Sequence, residues 1–530
     1  TSAADGTIAI GYKAGNALTS GTNNTAVGYE ALLSEDTGNF NTAIGYQALK
    51  NQNRDGTVNN TAVGYHAGLD VTTAYGATLI GSLAGANLTE GFNNTLIGNS
   101  AAATLTTGDY NTALGVQALA TEDVGRGTTA IGYQALYNQN SDSNDEETGN
   151  AAVGYQAGYS ITTGTNNTAI GYEAGKGGTT NIANTYLGYR AGYQYNNQNS
   201  NVLIGYTAGE SFRGGESVII GHQAGNGLGT TNLTSAVLIG KDAGRFAKGM
   251  AITSVGWRAG TYNSGSYNTF VGGFAGYSSG NTSAPYGTGT ANTTLGAYSA
   301  YNLKEGSNNV LVGYSAGIAL TSGDNNTVIG KNTGDTLTTG ANNTYIGYLA
   351  DASANNVNDE IVISAGSDAL AGGGTETIRI GVDSDYIVND FGENATWTHS
   401  SDRRIKKNIE DNDLGLEFIE KLKTRKFQKK APSEYPEEFE QHNSDTTERK
   451  NPDKIHYGFV AQEVKEVMDS VGHSEFPVWS KQNDGMELLG ETELITPLVK
   501  AVQELSSENK ELKDELNELK ILIKKKLGDE

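Results

Sequence analysis

The sequence predicts an all-β repeat solenoid, a parallel β-roll of about 20 coils of ~17 residues, then a short β neck and a charged, α-rich C-terminal segment. Three observations predict it. A glycine preceded by an aliphatic residue recurs twenty times from Gly11 to Gly347, and twelve of the nineteen spacings are 17 residues. The repeated units are rich in Thr, Asn, Gly and β-branched residues, which contradicts helix propensity. Composition then changes near residue 400: 65 of the 71 glycines lie before it, whereas 51 of the last 130 residues are charged against 44 of the first 400. A chain of 530 residues is too long for one ordinary core unless it repeats.

The solenoid is placed at residues 1–352. The residue before each repeat glycine is Ile, Val or Leu in all twenty copies, among them Ile10, Val27 and Ile44, and Ala stands three residues after it in eighteen. This aliphatic and this alanine are expected to fill a narrow interior together, with the glycine between them permitting a bend that a Cβ would oppose. The number of strands per coil, one or two, is open. Spacings of 16, 19, 22 and 24 place extra residues between units, as at 137–149, where surface loops on a solenoid would sit.

Other columns follow from the same register. Tyr follows the repeat glycine in eleven copies, including Tyr12, Tyr29, Tyr46, Tyr155 and Tyr172. That column reads either as a glycan- or receptor-binding stripe or as stacking between coils or subunits, and stacking is the commoner use of aromatic rows. Paired asparagines such as Asn23-Asn24 and Asn308-Asn309 are expected at turns, bonding one coil to the next. Thr stands three residues before the glycine in fourteen copies. Strand alternation puts it on the same face as the aliphatic, hence in the interior or at a corner, which argues against a flat ice-binding array.

Residues 353–400 form the neck. Ile361-Val362-Ile363, Thr377-Ile378-Arg379-Ile380 and Tyr386-Ile387-Val388 read as short strands too small to hold a core, so three chains are expected to build them into an intertwined β-prism. Residues 401–530 form the last domain. Within it, 431–455 is polar and proline-bearing, a loop or extended hairpin. Residues 494–527 read as a coiled coil: Leu498, Val502, Leu505, Asn509, Leu512, Leu516, Leu519 and Ile523 alternate spacings of four and three. That seam brings chains together, with Asn509 setting register.

Composition excludes several classes. There is no cysteine, so disulfides and thiolate metal sites are ruled out, and the six histidines are scattered without ligand spacing. No metal and no cofactor is expected. Gly372-Gly373-Gly374 lacks the strand–loop–helix context of a phosphate loop. A net charge of −23 argues against nucleic acid or an anionic membrane as partner, and no apolar run is long enough for membrane insertion as a helix. The sequence opens at Thr1 without an initiator Met or a signal-like run, which fits an internal boundary.

Two stretches resemble known families. Segments such as Asn24-Thr25-Ala26-Val27-Gly28-Tyr29 resemble the head repeats of trimeric autotransporter adhesins, which implies left-handed parallel β-rolls assembled in threes. Ser401-Asp402-Arg403-Arg404-Ile405-Lys406 resembles the start of the intramolecular chaperone domain that ends phage endosialidases and other tail fibres, peptidase family S74. Tyr457-Gly458-Phe459-Val460-Ala461-Gln462-Glu463 resembles a second block of that family.

The S74 resemblance implies a homotrimer and self-cleavage between Ser400 and Ser401. It makes Ser401 the nucleophile and Lys406 its base, with Asp402 and Arg404 in supporting, orienting roles. A serine hydroxyl needs such a base, and a lysine serves as one when burial or nearby cations lower its pKa. The expected function is a virion tail fibre or tailspike for host attachment, binding itself and a host cell-surface receptor or glycan. A bacterial surface or secreted adhesin with the same maturation device is the alternative. A glycan-degrading spike is disfavoured, because the repeats carry few acids and none at a fixed column.

Overall fold

The computed structural model describes residues 5–528 except 145, 195–196, 228–232, 279–286, 384, 393, 400–402, 440–441, 449–452 and 483. The chain divides into two compact units, Thr1–Ser400 and Ser401–Glu530. The first is a parallel β-solenoid of about 21 turns. Its rungs are twenty three-residue strands, β1 (Ile8–Ile10) to β20 (Thr344–Ile346), one per coil, and turns make up the rest of each coil. Each strand pairs parallel with the next, residue for residue: Thr25 lies beside Thr42, Ala26 beside Ala43, Val27 beside Ile44. Insertions leave this register intact. Across the 24-residue unit Phe270 still pairs with Thr294.

The ladder runs past residue 352. After the short β21 (Ala350–Asp351), β22 (Ile361–Ser364) pairs parallel with β20, Tyr345 opposite Val362. β23 (Leu370–Ala371) pairs with β21, and β24 (Thr377–Val382) adds a further parallel rung on β22. The 17-residue period thus persists where the Gly–Tyr signature stops. β25 (Asp385–Asp390) and β26 (Asn394–His399) then turn back antiparallel. These neck strands all find partners within their own chain.

The interior corrects the sequence expectation. In β2–β20 the middle residue faces inward and is buried, and the two flanking residues face outward. Ala26, Ala43, Leu79, Leu96, Ile219 and Phe270 are buried, whereas the aliphatic before the glycine points out, as at Ile44, Ile80 and Leu187. The alanine three residues after the glycine is buried as expected, at Ala31, Ala48 and Ala67. The threonines share the outward face with the aliphatics, so the ground for setting an ice-binding array aside is removed. Pattern alone misplaced these faces because alternation defines two residue sets without saying which turns inward.

Volume explains the choice. The rungs centred on Ala26 and Ala43 are filled by Leu32 and Leu49 from the following turn, both buried despite φ of 53° and 49°. The rungs centred on Tyr186, Leu203, Leu238 and Phe270 have glycine there instead. A Cβ on Gly192 would strike the Tyr186 ring, and one on Gly276 would strike Phe270. The middle strand position and this turn position thus draw on one space. Buried asparagines complete the interior: Asn309 Oδ1 accepts the Asn326 N–H (2.9 Å), and its Nδ2 donates to Gly323 O (2.9 Å). Buried Glu35 and Glu122 accept turn N–H groups, at 2.7 Å from Gly38 and 2.8 Å from Gly125.

The second unit contains α1 (Leu416–Lys421), β27 (Arg425–Phe427), β28 (His456–Gly458), α2 (Ala461–Ser470), β29 (Trp479–Lys481), β30 (Glu487–Leu489) and α3 (Ile495–Leu527). β27 and β28 pair antiparallel, so the polar 431–455 segment lies within a hairpin connection. Its core is small: Leu414, Phe418, Val464, Met468 and Val478. The Glu504 carboxylate on α3 accepts the Leu416 N–H at 2.7 Å and so holds the start of α1.

Candidate functional site

Three of the residues expected at the cleavage site, Ser400, Ser401 and Asp402, lie outside the described residues. Arg403–Ile405 form a single 3-10 turn, and the Lys406 N–H donates to Arg403 O at 3.2 Å. Arg404 and Lys406 are thus brought onto one tight turn, both exposed. A lysine acts as a base when it is desolvated or crowded by cations. Packing within this one chain does not bury Lys406.

The second block is spread over two elements that meet. Tyr457 and Gly458 belong to β28, opposite Lys426 and Arg425. Glu463, in the first turn of α2, receives a two-pronged bond from Arg425, with Nε to Oε2 at 2.8 Å and Nη2 to Oε1 closer still. The Arg425 guanidinium holds the Glu463 carboxyl below the usual carboxylate range. This pair ties the hairpin to the helix. Sequence reading of the block omitted Arg425, which lies 38 residues away and belongs to no local motif.

The 33 residues of α3 carry an apolar seam facing solvent: Leu498, Val502, Leu505, Leu512, Leu516, Leu519 and Ile523 are all exposed. Asn509 lies within it and donates to Leu505 O at 2.9 Å. Near the start of this seam is an apolar groove of about 340 Å³ between α1, Phe459 and α3, bordered by Ile419, Leu422, Leu494 and Leu498. A helix whose apolar stripe meets water is stabilised by a partner that covers it.

On the solenoid the tyrosine column forms continuous stacks. Tyr29 and Tyr46 lie 5.0 Å apart at 7°, as do Tyr155 and Tyr172, and the run continues through Tyr189 and Tyr206 to His222. Stacking occupies the ring faces, so solvent meets mainly edges and hydroxyls. A sugar platform needs a free face. Contacts between coils therefore account for this column.

A parallel repeat ladder and a small mixed unit ending in a long helix with an exposed apolar seam define the class, a solenoid protein with a separate C-terminal domain. Residues 401–473 match the model of the peptidase S74 family, described as chaperone of endosialidase, and the C-terminal unit carries this domain. The matched span covers the 3-10 turn, α1, the β27–β28 hairpin and α2. No curated protein and no solved structure matches the chain.

Proposed function

We propose that this chain is a virion tail fibre or spike for host attachment, with the solenoid as its shaft or head and the C-terminal unit as a folding module that aligns three copies and then severs itself. The S74 match at residues 401–473 carries the reading. The exposed seam of α3 supports it, because a helical trimer at one end raises local concentration where non-local strands would otherwise assemble slowly. The target of attachment is a host cell-surface receptor or glycan.

Cleavage in this reading begins with attack of Ser401 Oγ on the Ser400 carbonyl carbon, Lys406 Nζ taking the hydroxyl proton. The proton passes to the departing Ser401 nitrogen, leaving an ester that water hydrolyses. The products are a carboxylate at Ser400 and a free amine at Ser401. Lys406 is exposed in one chain, so neighbouring copies supply its desolvation and cleavage follows assembly. Loss of the covalent link then makes a reversible assembly kinetically trapped.

Intact and native mass spectrometry of the purified protein tests this directly. The expected result is a chain ending at Ser400 in a threefold assembly. A full-length monomer would overturn it.

A further inference from the structure

Purely parallel sheets mostly have both faces covered, and an apolar face left bare is the exception. The ladder β1–β20 covers one face with its own turns and leaves the other to solvent. On that face the residue before the repeat glycine is Ile, Val or Leu in all twenty rungs, and none is buried. Leu114 is 43 %, Leu187 42 % and Leu295 50 % exposed. The other outward position is Thr in fourteen rungs and Ile8, Ala151, Val202, Val218, Val237 or Val310 in the remainder. In β12 (Val202–Ile204), β13 (Val218–Ile220) and β14 (Val237–Ile239), both outward positions are aliphatic. No charged residue stands on this face, although the first 400 residues hold 44.

We propose that the outward face of β1–β20 is where a second copy of this chain packs, running in the same direction and at the same level, rung against rung. The inference rests on the self-association proposed above and names the surface that the solenoid uses for it. Three arguments select a second copy as the occupant. Rungs repeat at ~4.8 Å, and a partner with another spacing would lose register within a few rungs, whereas a copy keeps it along the whole length. Residues 1–400 carry 14 basic and 30 acidic residues, a net of −16, so two copies approach best through an uncharged strip. Twenty rungs give a strip roughly 95 Å by ~10 Å, about 950 Å² per copy, above the ~800 Å² per partner of a stable interface.

The chain has no cysteine, so single cysteines report contacts cleanly. Leu114→Cys and Leu187→Cys in the full chain, mildly oxidised, are each expected to give a disulfide-linked band at twice the chain mass on a non-reducing gel. Glu90→Cys at an exposed turn is expected to stay at single mass. Thr112→Cys and Thr185→Cys, on the same outward face, serve as a second pair if a leucine variant folds poorly. An oligomer by native mass with no cross-link at these positions, or with equal linking at Glu90→Cys, overturns the assigned face and leaves self-association standing. A monomer by native mass overturns both. Thermal hysteresis by the purified protein would put ice on this face instead of a second copy, and would equally overturn the proposal.

Discussion

Ala43 and Ile44 are neighbours in the chain, yet the methyl group of Ala43 is fully buried while Ile44 is 38 % exposed. The pairing recurs along the ladder, small or variable inside and uniformly aliphatic outside. Volume in the coil is shared between the middle strand residue and the following turn, so the interior tolerates Ala, Leu, Phe or Tyr if the turn compensates. The outer column shows no such variation, being Ile, Val or Leu in every rung.

The asparagine ladder should dominate the stability of single coils. Asn309→Ala removes the acceptor of the Asn326 N–H and the donor to Gly323 O, both buried. Two orphaned backbone groups cost about 2–4 kcal/mol together. Asn309→Asp keeps the acceptor but sets a buried carboxylate oxygen against Gly323 O, so it is expected to lose at least as much. Denaturant midpoints of the two variants check this, and a midpoint near the parent's for either would show that the ladder contributes little.

Glycine is required where rungs meet at closest approach. Gly171 has φ of +135°, and an added Cβ would strike Gly188 O. Gly171→Ala is expected to cost about 3 kcal/mol or more. Gly56, at φ +80° with nothing within 4 Å, provides the contrast, and Gly56→Ala should cost about 1 kcal/mol. Limited proteolysis across the ladder distinguishes them, with early cleavage expected for the first variant alone.

Burial, and then its hydrogen bond with Asp351, push the Asp335 carboxyl up to about 6 from an ordinary 3.8. The folded state therefore holds a proton that the unfolded chain releases earlier. The stabilisation is fully present below the unfolded value and is lost as pH rises through the folded one. Hydrogen exchange at the Thr336 and Ala352 amides, which donate to Asp351 at 3.0 and 2.8 Å, should quicken above the intrinsic trend as pH rises through about 6. Asp335→Asn should abolish that extra step, and a step that persists in this variant would refute the assignment.

Self-cleavage depends on a base and a nucleophile that can be removed separately. Ser401→Ala should leave one full-length band on a denaturing gel, where the parent gives two. Lys406→Arg keeps the charge but cannot accept the proton, so it too should give one band. Two bands from Lys406→Arg would remove lysine from the role of base.

Much of this was legible from residues alone. The glycines from Gly11 to Gly347 set the rungs, and the Asn pairs marked the turns that bond between coils. The motif at Ser401–Lys406 and the block from Tyr457 to Glu463 pointed to the family matched at residues 401–473. The rungs beyond residue 352 were less visible, because Val362 and Arg379 keep the spacing while the surrounding turns lose the Gly–Tyr signature. Arg425 escaped because its partner Glu463 is distant in sequence.

By itself the sequence determined period, register and the boundary near residue 400, since the aliphatic–glycine pair recurs in every unit whatever its length and aligns the strands on one another. Only the tertiary structure decided which side of each strand became interior. Alternation makes the two sides equivalent on paper, and the direction in which the chain curls after the glycine, together with the space left once Leu32 or Tyr186 enters a coil, breaks that equivalence.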